Sequence, residues 1–186
     1  ASDQHAQALA VVKPLLADAK SPTRLAELRM AALSAYMIKD YPQAQQYYGE
    51  LLKLNPEDIE ALNNLAFMLA DDLKKPADGL KYAERAATLL RSRSPLESGM
   101  GSLANLYDTI GWVKFLAGDL KGAAEELNRS LQWEPLPDAY MHLAQVLKKQ
   151  GNAAEARRQA ELGVKAATDR KDPAKIAATK ELIKNL

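Results

Sequence analysis

The stretch "DYPQAQQYYGELLKLNPED" at residues 40–58 is written again in altered wording at 119–138, "DLKGAAEELNRSLQWEPLPD". A third version, "NAAEARRQAELGVKA", begins at residue 152. Few residues persist. Asp40, Asp119 and Asn152 lead, and the small residues Ala44, Ala123 and Ala156 follow four positions later. A pair of apolar or small residues comes next (Leu51–Leu52, Ser130–Leu131, Gly163–Val164), and Pro56 and Pro135 close the first two versions. An echo spaced by tens of residues constrains architecture more than any single motif. A unit too small to bury its own apolar face must stack on further copies of itself.

The copies are helical. Of the 186 residues, 47% are hydrophobic, enough for a packed core, and alanine and leucine dominate, which favours helix. No segment alternates as a strand. The periodicity predicts helices at about 3–18, 23–38, 41–54, 57–73, 77–91, 103–117, 120–133, 137–150, 153–168 and 173–185. Ser21 and Pro22 read as N-cap and first helical residue of the second helix, and Pro14 is expected to kink or interrupt the first. Connections of two to four residues force consecutive helices to lie antiparallel and adjacent. One departs from this: "RSRSPLESGMGS", 91–102, reads as an inserted, exposed loop.

These residues resemble the tetratricopeptide repeat family, whose roughly 34-residue helix-turn-helix motif places large, small and large residues in its first helix and Ala, aromatic, Ala and Pro in its second. Residues 25–58 match through Leu28, Ala31, Ala32, Tyr41, Ala44, Tyr48, Leu51 and Pro56. Residues 59–92 match through Leu62, Leu65, Ala66 and Leu69 and, after one extra residue, Gly79, Ala83 and Ala86. Residues 104–137 match through Tyr107, Ile110, Gly111, Ala123, Leu127 and Pro135, and residues 137–169 through Tyr140, Leu143, Ala144, Leu147, Gly151 and Ala156. The resemblance implies one all-α domain over residues 1–186. It would be a right-handed superhelical solenoid with an orphan second helix at 3–18 and a capping helix at 173–186. Lys114 stands where the pattern expects a bulky apolar residue, so its packing should be looser or its stem should snorkel. "NNLAFMLAD" and "LYDTIGWVKFLAGD" are similar to bacterial tetratricopeptide proteins linked to cell envelopes and exopolysaccharide export.

Chemistry-bearing constellations are sparse. With no cysteine, disulfides and thiolate metal sites are excluded, and His5 and His142 stand far apart without carboxylates at metal-ligand spacing. His142 reads as a surface or lateral hydrogen-bonding residue. Glu125–Glu126 and Asp71–Asp72 read as solvated helix faces. We therefore expect no catalysis, cofactor or metal. No apolar stretch approaches the roughly 20 residues of a membrane span. The chain reads as a fragment of a longer bacterial protein, its compartment, cytoplasm or cell envelope, left open. Net charge is +1, but from Lys148 onward ten cations face five acids, so a basic end that touches nucleic acid is one alternative.

The concave face carries the main functional expectation. In the family, set positions of each first helix line the groove. Here they include Arg29, Leu33, Tyr36, Asn63, Phe67, Asp108, Trp112, Phe115, Met141 and Gln145. The family's carboxylate-binding clamp is not written: Arg29 could stand for its first Lys and Asn64 for its second Asn, but Leu33, Asn105 and Thr109 occupy the remaining positions and cannot supply its charge. An aromatic centre, with Phe67 and Trp112 expected side by side, fits a protein or peptide partner. The second alternative is self-association through the exposed half-repeat.

Overall fold

The computed structural model describes residues 2–92 and 100–186. The helices are α1 (Ser2–Leu15), α2 (Arg24–Met37), α3 (Tyr41–Leu54), α4 (Ile59–Phe67), α5 (Pro76–Ser92), α6 (Met100–Leu116), α7 (Leu120–Trp133), α8 (Pro137–Lys149), α9 (Ala153–Asp169) and α10 (Pro173–Lys184). They form an all-α solenoid, with no strand among the described residues. Most of the segment expected as an inserted loop, 91–102, lies outside the described residues.

The persistent Asp/Asn of the repeated stretch has a plain cause. Each opens a second helix as its N-cap: Asp40 accepts from the Gln43 amide, Asp119 from Gly122 and Asn152 from Glu155. Such a cap satisfies one of the backbone donors that every helix start leaves orphaned. Asp172 does the same for α10. The residue before each cap must turn the chain with positive φ: Lys39 (63°), Gly118 (90°), Gly151 (83°) and Lys171 (55°).

Small residues then let the paired helices close. Ala32, Ala44, Ala66, Ala123, Ala144 and Ala156 are fully buried. A Cβ on Gly111 would stand 2.6 Å from Leu127 Cγ, so α6 and α7 approach at a distance only glycine allows. Larger side chains, among them Leu28, Leu51, Leu62, Ile110 and Leu127, fill the layers between. Each fully buried Leu contributes about 2–3 kcal/mol by area removed from water.

The one extra residue in the second repeat is taken up as a π-helical turn, Met68–Asp72, that continues α4. The Leu73 amide donates to Met68 O at 2.9 Å, five residues back. A π-turn widens the coil by about one residue without breaking its hydrogen bonds. The second helix therefore re-enters phase, and Ala83 and Ala86 are fully buried.

Several local expectations are corrected. α2 begins at Arg24 with Thr23, not Ser21, at the cap position, because the Ser21 and Thr23 hydroxyls both donate to the Glu27 carboxylate. α4 begins at Ile59, capped by Asp58 through the Ala61 amide, two residues later than expected. Pro14 sits in the last turn of α1, where it interrupts nothing upstream. Glu126 is no solvated face. Its side chain is buried and carries ion pairs from Lys114 (3.2 Å), Arg91 (3.1 Å) and Arg129 (3.7 Å). This also answers the Lys114 departure: its stem fills the apolar position and its ammonium meets a buried carboxylate.

Candidate ligand-binding groove

α2, α4, α6 and α8 are the first helices of the four repeats; α4 packs against α6 and α6 against α8. Arg29, Asn63 and Asp108 stand fifth in the first three repeats and are among the polar residues that the family register places on the groove. The structure brings two of them to the sixth position of the next repeat. Asn63 Nδ2 donates to Thr109 Oγ1 at 3.5 Å, from α4 to α6. The Nδ1–H of His142 donates to Asp108 Oδ1 at 2.8 Å, from α8 to α6. Asp108 is buried and so is unavailable as a free acid on the groove surface. Arg29, the fifth-position residue of the first repeat, sends Nε and Nη2 to Asp58 Oδ2 at 2.8 and 2.6 Å.

The aromatic centre is also arranged differently. Trp112 stacks on Phe115, its helix neighbour, at 5.1 Å between centroids, and on His142 at 4.3 Å. The expected Phe67–Trp112 pair is not formed, because the His142 ring, anchored by Asp108, takes the Trp112 face. Phe67 is partly buried on α4. Tyr36 tilts against Tyr41 at 6.2 Å, and burial, then the Asp72 carboxylate, pushes its phenol above the usual range. Tyr41 donates to Asp72 Oδ1 at 3.0 Å.

Two stretches along the first helices stay open. On α2 the apolar side chains of Met30, Leu33 and Met37 are about half exposed (50, 45 and 45%). At the other end, Phe115, Gln145, Lys148, Lys149 and, from α10, Leu182 line an open cavity of about 320 Å³. Gln145 thus sits where a ligand could reach it, and Met141 is partly buried beside Asp108's partner helix turn.

His142 and Thr109 are the residues that site reasoning overlooked as groove elements. A signal for one was present: Asp108 and His142 lie 34 residues apart, which puts them one position out of step in successive repeats. Asn63 and Thr109 are 46 apart because the inserted segment intervenes, which hid the same relation. Among the described residues no group of three or more His, Asp or Glu could hold a metal.

Solved structures share this architecture. The fold is that of a tetratricopeptide repeat domain. The chain is similar to YrrB, a TPR protein with an unusual peptide-binding site, at TM-score 0.69 and 16% identity over 96% of this chain and 84% of that one. It is similar to residues 41–end of MamA from Desulfovibrio magneticus RS-1 at TM-score 0.72 and 15% identity, over 91% and 88%. It also resembles PilW, a widely conserved type IV pilus biogenesis factor, at TM-score 0.68 and 20% identity, over 98% and 86%. No protein-family model matches the tetratricopeptide domain described here, and no curated protein matches it either.

Proposed function

We propose that this domain is a non-catalytic scaffold that holds a peptide or protein segment in the concave groove lined by its first helices, as a module of a larger bacterial protein. The observation that carries the reading is the Trp112–Phe115–His142 stack beside an apolar-floored cavity of about 320 Å³. Rigid aromatic surface next to a concavity is where binding energy concentrates in protein interfaces. The half-exposed Met30, Leu33 and Met37 extend the apolar track towards the first repeat, and methionine adapts to varied partners. The peptide-binding neighbour YrrB lends support from the fold alone.

Selection of binders from a randomised 12-residue peptide library tests this. Trp112→Ala should weaken the selected peptides at least tenfold, as truncation of a central aromatic does. Peptides that bind the variant at full strength, with its melting temperature retained, would refute the groove.

Self-association is a second reading, supported by the exposure of Val11 (69%) and Leu15 (53%) on α1. Light scattering across concentration separates it from peptide binding. The basic C-terminal end gives less support to nucleic acid. Arg158, Arg170, Lys175 and Lys184 are each ion-paired with Glu155, Glu134, Asp138 and Glu181.

A further inference from the structure

The junction between α2 and α4 is built unlike the two that follow it. At α4/α6 and α6/α8, a fifth-position side chain bonds to a sixth-position side chain of the next repeat. At α2/α4 the corresponding pair is Arg29 and Asn64, and Arg29 turns down to Asp58 instead. The helices do not close over the gap. What remains is a crevice of about 70 Å³, with Leu33 and Leu51 as apolar walls and Arg29, Tyr48, Glu60 and Asn64 as its polar lining. At its base lies the Tyr48 hydroxyl. That side chain is 2% exposed; the Asn64 amide stands beside its hydroxyl, and its O–H finds no acceptor.

A buried O–H without an acceptor loses its hydration for nothing in return, and such groups call for a bound water or ligand. We propose that this crevice is a side-chain pocket for the carboxamide of an asparagine or glutamine in the bound peptide; the proposal rests on the groove reading above. Charge and hydrogen-bonding capacity select this chemistry. Arg29 and Asp58 neutralise each other through two hydrogen bonds. The exposed Glu60 then leaves one net negative charge at the mouth, which disfavours a carboxylate. An ammonium offers no acceptor and would leave the Tyr48 O–H unanswered. A neutral group that both accepts and donates suits what is left. Its carbonyl accepts from the Tyr48 O–H, and its NH2 donates to Glu60 or Asn64.

Tyr48 stays protonated throughout the neutral range, because burial, opposed by the Asn64 amide, pushes its phenol up to about 12. It is therefore a fixed donor. The crevice is small, about 70 Å³ against about 320 Å³ for the cavity at the other end, so it suits a compact polar head group better than a bulky aromatic.

The same randomised 12-residue library tests this. Wild-type selections should enrich Asn or Gln at one fixed distance from the apolar anchor. Changing that residue to Leu or Met should weaken binding about tenfold, as loss of one buried hydrogen bond does. Tyr48→Phe should bind the amide peptide and its Leu version equally, with an unchanged or slightly raised melting temperature. Asn64→Ala should reduce the same preference. Binders that show no carboxamide preference but are lost in Trp112→Ala overturn the pocket and leave the groove standing. A library that yields no binders, or binders indifferent to Trp112→Ala, overturns both. A Tyr48→Phe protein that melts several degrees lower shows the hydroxyl to be structural, holding water only, and also overturns the pocket.

Discussion

The first and the last junctions between neighbouring first helices are built from the same register and end differently. Between α6 and α8, Asp108 and His142 lock the helices, and Trp112 stacks on the locked ring. Between α2 and α4, the equivalent Arg29 is drawn away by the buried N-cap Asp58, and the lock is replaced by a crevice. A single acidic cap thus decides whether two polar side chains close a junction or line a pocket. Repeat proteins vary function in this way, by changing groove residues while the inter-helix core keeps its small and large pattern.

The largest effect should fall on the closed side. Glu126→Gln removes the carboxylate that holds Lys114 and Arg91 and leaves a mostly buried ammonium unpaired. We expect a loss of about 3 kcal/mol in chemical denaturation. A loss under about 1 kcal/mol would mean that Lys114 reaches solvent by itself. Next comes the lock. His142→Ala should cost about 2 kcal/mol, since it strips the ring stack and leaves the buried Asp108 unpaired. Asn64→Ala, at the same register in the open junction, should cost under about 0.5 kcal/mol, the range of substitutions that break no such feature. Equal costs at the two sites would erase the distinction between the junctions.

Alkaline melting sharpens it further. The Tyr48 phenol titrates at 10.0 when unfolded and at about 12 when folded. Between these values the unfolded chain releases the proton and the folded chain keeps it. Stability contributed by the neutral phenol is therefore full below pH 10 and falls as pH rises towards 12. Tyr48→Phe should lose less stability across that window than wild type, and equal losses would contradict the burial of this hydroxyl. The smallest expected effect is at the turns. Lys39 and Lys74 hold φ of 63° and 55° where Gly118 and Gly151 stand in the later repeats. Lys39→Gly should raise stability by about 0.5–1 kcal/mol, because the left-handed conformation costs an L-residue about that much or more. A drop would show that its side chain holds the turn.

Most of the helices were legible in the sequence, and the reason is periodic. Apolar spacing and small residues at fixed offsets repeat four times, and Asp or Asn caps open three of the four second helices, so local signals reinforce one another. Even the extra residue near 70 was countable, although its π-turn form was not. The groove was less legible, because family register tells which residues stand on the groove but not which neighbour each one bonds. Asn63 and Asp108 stood at the expected positions, and their hydrogen bonds run sideways to Thr109 and His142. Glu126 was misread for a related reason: its partners Arg91 and Lys114 come from other helices, 35 and 12 residues away.

The most direct test of the account is amide and indole NMR mapping with a peptide selected from the randomised library. The account predicts shifts clustered in the groove, at Leu33, Asn64, Phe67, the Trp112 indole and Gln145, with α9 and the outer face of α1 unmoved. Shifts concentrated on Val11 and Leu15 of α1, or on the α9 surface, with the Trp112 indole silent, would contradict it.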